Sequence, residues 1–195
     1  MSQTRSFMQI RRARPPARAA AIAAACVTAV VVALAGCAGH HGSSRSGTAG
    51  ARPGTAIVVR DIDGDTIDVR LDGRVERLRL LGIDTPETKD PRKPVQCYGK
   101  EASAQTAALL PKGTTVRLER DVEVRDKYGR LLVYVYRSAD QLFVNRQLVA
   151  DGFAVLYTYP PNVAHVAELR AAADHARAAN LGLWARCGGP GKPAQ

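Results

Sequence analysis

Residues 63–84 read Asp63-Gly64-Asp65-Thr66-Ile67-Asp68-Val69-Arg70-Leu71-Asp72-Gly73-Arg74-Val75-Glu76-Arg77-Leu78-Arg79-Leu80-Leu81-Gly82-Ile83-Asp84. Ile67, Val69 and Leu71 alternate with polar residues, the period of a strand with one buried face. Asp72-Gly73 is a hairpin dipeptide, and Val75, Leu78, Leu80, Leu81 and Ile83 continue as a third strand whose alternation slips near Arg79, as a bulge would cause. That strand ends by delivering Asp84 and, beyond Thr85-Pro86, Glu87 at its tip.

Working outward, Ile57 and Val59 alternate from Thr55 onward, so residues before the Asp63-Gly64 turn complete a three-stranded meander. Residues 89–97 are charged and proline-bearing, a loop, and Glu101 to Leu110 is a helix stopped by Pro111. Strands return in Thr115 to Leu118 and Leu131 to Tyr136, followed by a turn at Ser138-Ala139-Asp140. Asn145 suits the N-cap of a short helix, Arg146 to Asp151, before Gly152. Val155 to Tyr159 has strand character, and a helix from Val163 to Asn180 places Val163, Val166, Leu169 and Ala173 on one face, with Trp184 closing the end of the core. Five antiparallel strands with a helix after the third imply an α+β domain, a five-stranded OB-fold-type β-barrel with about three α-helices.

At 195 residues the chain has room for one domain and a targeting segment. Its net charge of +10 falls to +5 without residues 1–36, which hold five arginines and no acid. A basic remainder of that size suits a polyanion and equally suits a soluble surface. Basic residues to Arg18, the apolar run Ala19 to Gly36 and then Cys37 form a secretory signal. Its end, Leu34-Ala35-Gly36-Cys37, resembles the bacterial lipobox, so Cys37 is expected to be lipidated, anchoring the exported domain to the outer face of the cell membrane. An ordinary secretory signal or an uncleaved anchor are the alternatives. The organisation expected is a signal over 1–36, a flexible linker over 37–54, the folded domain over 55–187 and a disordered tail over 188–195.

With Cys26 removed and Cys37 occupied, Cys97 and Cys187 remain as a pair. In an oxidising compartment they suggest a disulfide, the alternative being two buried thiols. Neither has a histidine at zinc-ligand spacing. His165 and His175 fall in a polar helical stretch and are expected to face solvent.

Acids and guanidinium groups come from separate stretches: Asp63-Gly64-Asp65-Thr66, Arg79 to Thr88, and Asp126-Lys127-Tyr128-Gly129-Arg130. Asp65 and Asp84 at neighbouring strand ends are hard oxygen donors that favour calcium over zinc or copper. Asp63 reads as a turn residue only. Glu87 can point at the same place and act as a general base. Arg79 and Arg130 suit the charge that develops on a phosphate. Arg74 and Arg77 read as strand-face charges.

These stretches, with Tyr98-Gly99-Lys100-Glu101-Ala102-Ser103, resemble the staphylococcal nuclease (thermonuclease) family, in order from Ala56 to Trp184. The resemblance implies calcium (Ca2+) held by Asp65, Asp84 and the main-chain oxygen of Thr85, Glu87 as base, and Arg79 and Arg130 on the phosphate. It also implies substrate contacts by Lys127, Tyr128, Tyr157 and Tyr159, although a tyrosine in Val155 to Tyr159 could equally be half-buried packing. The activity implied is hydrolysis of DNA and RNA with little sequence preference, leaving 3′-phosphate ends; with the N-terminal signal and Cys37, the protein is expected to be an exported, membrane-anchored monomer. Departures from the family are Pro160-Pro161, the Cys97/Cys187 pair and the charged connection Arg120 to Arg125. Two other classes compete: a non-catalytic OB-fold module that binds nucleic acid or an envelope partner, and a paired-carboxylate glycosidase, which the two arginines disfavour.

Overall fold

The computed structural model describes residues 54–91 and 94–194; the expected signal, Cys37 and the linker to residue 53 lie outside them. The strands are β1 (Gly54–Asp63), β2 (Thr66–Leu71), β3 (Arg74–Leu80), β4 (Ile83–Asp84), β5 (Thr115–Glu119), β6 (Leu131–Arg137) and β7 (Val155–Leu156). The helices are α1 (Gly99–Leu109), α2 (Val144–Ala150), α3 (Val166–Ala178) and the short α4 (Leu183–Cys187). Five strands close a barrel in the order β1-β2-β3-β6-β5, while β4 and β7 form a separate antiparallel pair. This is the α+β, OB-type barrel expected, with one more helix and one change of sense: β3 and β6 run parallel.

The strand residues explain the closure. In β2, Ile67 and Val69 enter the core, and Asp68 between them is also buried because arginines flank it on both neighbouring strands. β6 is buried from Leu131 to Val135, as a strand covered on both faces must be, with α2 packed on one side. Ile67, Val69, Leu78, Leu80, Val116, Leu118, Val133 and Val135 all belong to one core.

Several local expectations change. The inward residues of β1 are Ala56 and Val58, while Ile57 is 47% exposed, the opposite phase to that read from the larger side chains. The register breaks lie in β1, between Val58 and Arg60 and between Asp61 and Asp63, whereas Leu78 and Arg79 keep an unbroken register with Ile67 and Thr66. β3 ends at Leu80, because Gly82 takes φ +76° and turns the chain into β4. Asn145 does not cap a helix. It is buried inside α2, accepts from the Val135 amide at 2.9 Å and donates to the Leu81 carbonyl at 2.8 Å, tying the end of β3 to β6.

At the C-terminal end, Leu183 rather than Trp184 fills the core. Trp184 is half-buried, with the Arg177 guanidinium over its ring. His165 is not a solvent-facing residue: its ring lies 4.4 Å from that of Tyr134 and 5.0 Å from that of Phe143, and Nε2 is 2.7 Å from Glu119. Cys97 and Cys187 form a disulfide. In place of the disordered tail expected from 188, Lys192 and Ala194 hydrogen-bond to residues Cys97 and Val95. The Pro160-Pro161 bond is cis.

Candidate active site

Two registers assemble the site. Thr66 pairs with Arg79 across β2 and β3, which sets Asp65 beside the guanidinium, and Leu78 pairs with Leu131 across β3 and β6, which sets Arg130 at the same end of the barrel. The pair Asp84 and Val155 then brings Tyr157 over the Gly82 carbonyl, to which its amide donates at 3.0 Å. Gly64 lets the first acidic turn close on the second: a Cβ there would lie 2.8 Å from Thr85 Cβ, Cγ2 and Oγ1.

Asp65 is only 7% exposed, yet it is well supplied with donors. Its Oδ2 accepts from the Thr85 amide at 3.0 Å and the Thr85 hydroxyl at 3.1 Å, and Oδ1 from the Thr66 hydroxyl at 3.1 Å. Arg79 Nη2 lies 3.2 Å from Asp65 Oδ2 and 2.8 Å from Asp84 Oδ1, so one nitrogen spans both carboxylates. Arg79 Nη1 donates to the carbonyls of Leu80 and Ile83, each at 2.9 Å, which fixes the plane of the fork.

Glu87 Oε1 accepts three successive amides, from Thr88 at 2.9 Å, Lys89 at 2.7 Å and Asp90 at 2.9 Å. Burial works to raise its pKa, but the amides of Lys89 and Asp90, a hydrogen bond with Asp63 and the Thr88 amide outweigh it, and the net direction is down. Asp63 moves the other way. Burial and the neighbouring charges of Asp65 and Glu87 raise it despite the Thr88 hydroxyl and the Gly64 amide. The two neighbouring carboxyls thus shift in opposite directions, Asp63 up and Glu87 down.

On the far wall, Asp126 shapes the turn that presents Arg130. Its Oδ1 accepts from the amides of Tyr128 and Arg130, both at 2.9 Å, and its Oδ2 takes Arg130 Nε at 2.6 Å. Lys127 and Arg130 lie over the Tyr128 ring at 5.1 and 5.4 Å, and that ring is 69% exposed. Tyr157 and Tyr159 are exposed as well, so neither is core packing. All the expected side chains, Asp65, Arg79, Asp84, Thr85, Glu87, Lys127, Tyr128, Arg130, Tyr157 and Tyr159, line one cavity of about 590 Å³.

The profile of the family described as Staphylococcal nuclease homologue matches residues 77–186. The chain belongs to the staphylococcal nuclease family. It is similar to the Thermonuclease of Staphylococcus intermedius, 46% identical over 130 residues that cover 67% of this chain and 76% of the relative. The Thermonuclease of Staphylococcus hyicus is 40% identical over 139 residues, 71% of this chain and 80% of the relative. Endonuclease YncB of Bacillus subtilis (strain 168) is 42% identical over 131 residues, 66% of this chain and 61% of the relative.

By membership this chain is a nuclease-type hydrolase, and its site contains more than the residues picked from its sequence. Asp63, Asp90, Gln96 and Asp126 also line the cavity of the nuclease. Asp126 could have been found, since an aspartate two residues before Tyr128 and four before Arg130 is an Asx-turn signal. Asp63 is a turn residue, as its bond from the Gly64 amide at 2.9 Å shows, but it also accepts from the Thr88 hydroxyl at 2.8 Å. Gln96 carries no sequence signal, because its place depends on chain far from it.

Proposed function

We propose that this chain is a calcium-dependent nuclease, exported and lipid-anchored through Cys37, that hydrolyses DNA and RNA with little sequence preference and leaves 3′-phosphate ends. The observation that carries the reading is the convergence of Asp65, Asp84, Glu87, Arg79 and Arg130 on one cavity. Export is supported by the Leu34-Ala35-Gly36-Cys37 sequence and by a disulfide suited to an oxidising compartment.

The residues present fit calcium. Asp65 and Asp84 approach closely enough for one guanidinium nitrogen to touch both, and Thr85 lines the same cavity, so the donors are all hard oxygens. A cation held by Asp65, Asp84 and the Thr85 carbonyl would have few protein ligands and so keep room for water and phosphate oxygens. Bound there, calcium supplies positive charge to the scissile phosphate and to the attacking water.

Glu87 removes the proton of that water as its oxygen bonds to phosphorus. Three amides hold Oε1, which fixes the carboxylate without neutralising it. Arg79 and Arg130 donate to the phosphate oxygens on which charge accumulates. The bond from phosphorus to the 5′ oxygen breaks, leaving the phosphate on the 3′ side. Arg130 hydrogen-bonds the departing oxygen, whose proton comes from solvent, since a guanidinium does not release its own. Tyr128, Tyr157 and Tyr159 offer ring faces to unstacked bases, and Lys127 a charge to a flanking phosphate.

The test is cleavage of single-stranded DNA and RNA by the purified full chain, with calcium and then with chelator, followed by end analysis of the products. Calcium-dependent cleavage leaving 3′-phosphate is expected. Cleavage indifferent to chelator, or undiminished in Glu87→Gln, would refute the mechanism.

A further inference from the structure

We propose that Gln96 is a positioning residue for Glu87, and that the Cys97–Cys187 disulfide and the C-terminal residues hold it in place. The inference rests on the reading of Glu87 as the base. Gln96 occupies both main-chain polar groups of Glu87: its side-chain Oε1 accepts from the Glu87 amide at 3.0 Å, and its own amide donates to the Glu87 carbonyl at 2.9 Å. Holding both the N–H and the C=O fixes the Glu87 main chain, the base from which its amide-held side chain reaches.

A hollow of about 260 Å³ lined by Asp84, Pro86, Gln96, Val155, Leu183 and Pro190 borders this segment on one side. On another side Gly99 of α1 packs so closely that a Cβ there would lie 2.9 Å from the Pro86 carbonyl oxygen. The two hydrogen bonds with Gln96 add a direct hold on Glu87 itself. Gln96 is in turn fixed on its other side. The Cys97 amide donates to the Lys192 carbonyl at 2.8 Å, the Ala194 amide to the Val95 carbonyl at 2.9 Å, and Gln96 is bridged to Pro193 between them. The Gln96 carbonyl accepts from the Gly99 amide at the start of α1.

The C-terminal segment is no more than a few residues wide and needs an anchor of its own. The disulfide provides it, linking Cys97, next to Gln96, to Cys187 at the end of α4, 90 residues away in sequence. α4 is seated by Leu183, fully buried, whose amide donates to the Gly152 carbonyl at 2.9 Å. The path from the core to the base is therefore continuous: Leu183, α4, Cys187, Cys97, Gln96, Glu87. It follows that the turnover of this nuclease depends on a cross-link remote from the chemistry, and that the enzyme is at its best only where that cross-link forms.

Four full-chain variants test this: Gln96→Ala, Gln96→Glu, the double change Cys97→Ser with Cys187→Ser, and Gln96→Ala combined with Glu87→Gln. For Gln96→Ala, kcat on single-stranded DNA should fall about tenfold, the worth of one hydrogen bond of ordinary strength, with KM and calcium affinity unchanged. Gln96→Glu keeps an acceptor oxygen and should restore most of the rate, and the cysteine variant should reproduce the loss. In the Glu87→Gln background the Gln96→Ala change should cost nothing further, because residues acting through one group are not additive. Amide hydrogen exchange at Glu87 should quicken in Gln96→Ala while amides of β2 and β3 stay protected. An unchanged kcat and an unchanged Glu87 amide, or an equal loss in the Glu87→Gln background, would overturn the inference. If the unaltered chain does not cleave at all while the Glu87 amide still responds, the assignment of the base fails and the positioning contact stands.

Discussion

Arg79 Nη2 donates to Asp84 Oδ1 at 2.8 Å while Nη1 of the same fork is held by two main-chain carbonyls. The side chain thus reaches into the acidic cluster from a fixed plane. It is 14% exposed, so its charge acts in a partly desolvated place. Lysine would keep the charge and lose the fork. Arg79→Lys is expected to lower kcat by about 100-fold, in the range for removing one donor aimed at developing charge, with a smaller change in KM. Steady-state kinetics on a short single-stranded DNA decide this, and a loss confined to KM would mean that Arg79 only binds.

Glu87 differs from Asp65, Asp84 and Asp126, which meet arginines, in that its carboxylate is held by backbone amides. Glu87→Gln keeps the shape and removes the basic oxygen. The expected loss in kcat is about 1000-fold, within the span of general-base catalysis, with DNA affinity in the presence of calcium retained. Single-turnover cleavage beside a filter-binding measurement separates the two quantities.

Asp68 answers a different question, that of stability. It pairs across the sheet with Arg60 on β1 and Arg77 on β3, with Arg77 Nε at 2.8 Å and Arg60 Nη2 at 2.9 Å. The hydrogen bond from Arg77 lowers its pKa most, burial opposes this, and Arg60 lowers it further, so the folded value lies below the unfolded one. Such a group stabilises fully above the unfolded pKa, near 3.9, and loses its contribution as pH falls through the folded pKa. Asp68→Asn should cost about 2 kcal/mol at pH 7, limited to that because both guanidinium groups half face water. The gap between variant and parent should narrow in urea melts taken below about pH 3.5. A gap that stays constant with pH would assign the loss to packing.

The barrel was readable because its strands obey simple rules. Ile67 and Val69 alternate, Asp72-Gly73 turns, and Leu131 to Val135 is apolar throughout as a doubly covered strand must be. Where the reading failed, two side chains competed for one role. Ile57 is larger than Ala56, but Ala56 and Val58 face the core, and size is no guide to direction in a bulged strand. Asn145 stands where a cap would, and is instead a buried tie between β3 and β6, which only the long-range pairing of those strands reveals. The acids and arginines of the cavity were visible as residue types in three stretches. Asp126 carried a local turn signal, whereas Asp63 and Gln96 became visible as site residues only when the fold set them against Glu87.

Gly64 offers the sharpest test of how the two acidic turns depend on each other. It stands between Asp63 and Asp65, and a methyl group there would come within 2.8 Å of three atoms of Thr85, closer than such atoms pack. Thr85 cannot retreat cheaply, because its amide and hydroxyl both donate to Asp65. On the other side, the Gly64 carbonyl accepts from the buried Thr106 hydroxyl of α1, so the turn is held from behind as well. Gly64→Ala should therefore cost about 2 kcal/mol in stability, as over-packing does. It should also weaken calcium binding, since Asp65 and Thr85 are pushed apart, and calorimetric titration of the folded variant reads that directly. Restored affinity in a Gly64→Ala, Thr85→Ser double variant, which removes one of the clashing atoms, would identify the contact with Thr85 as the cause.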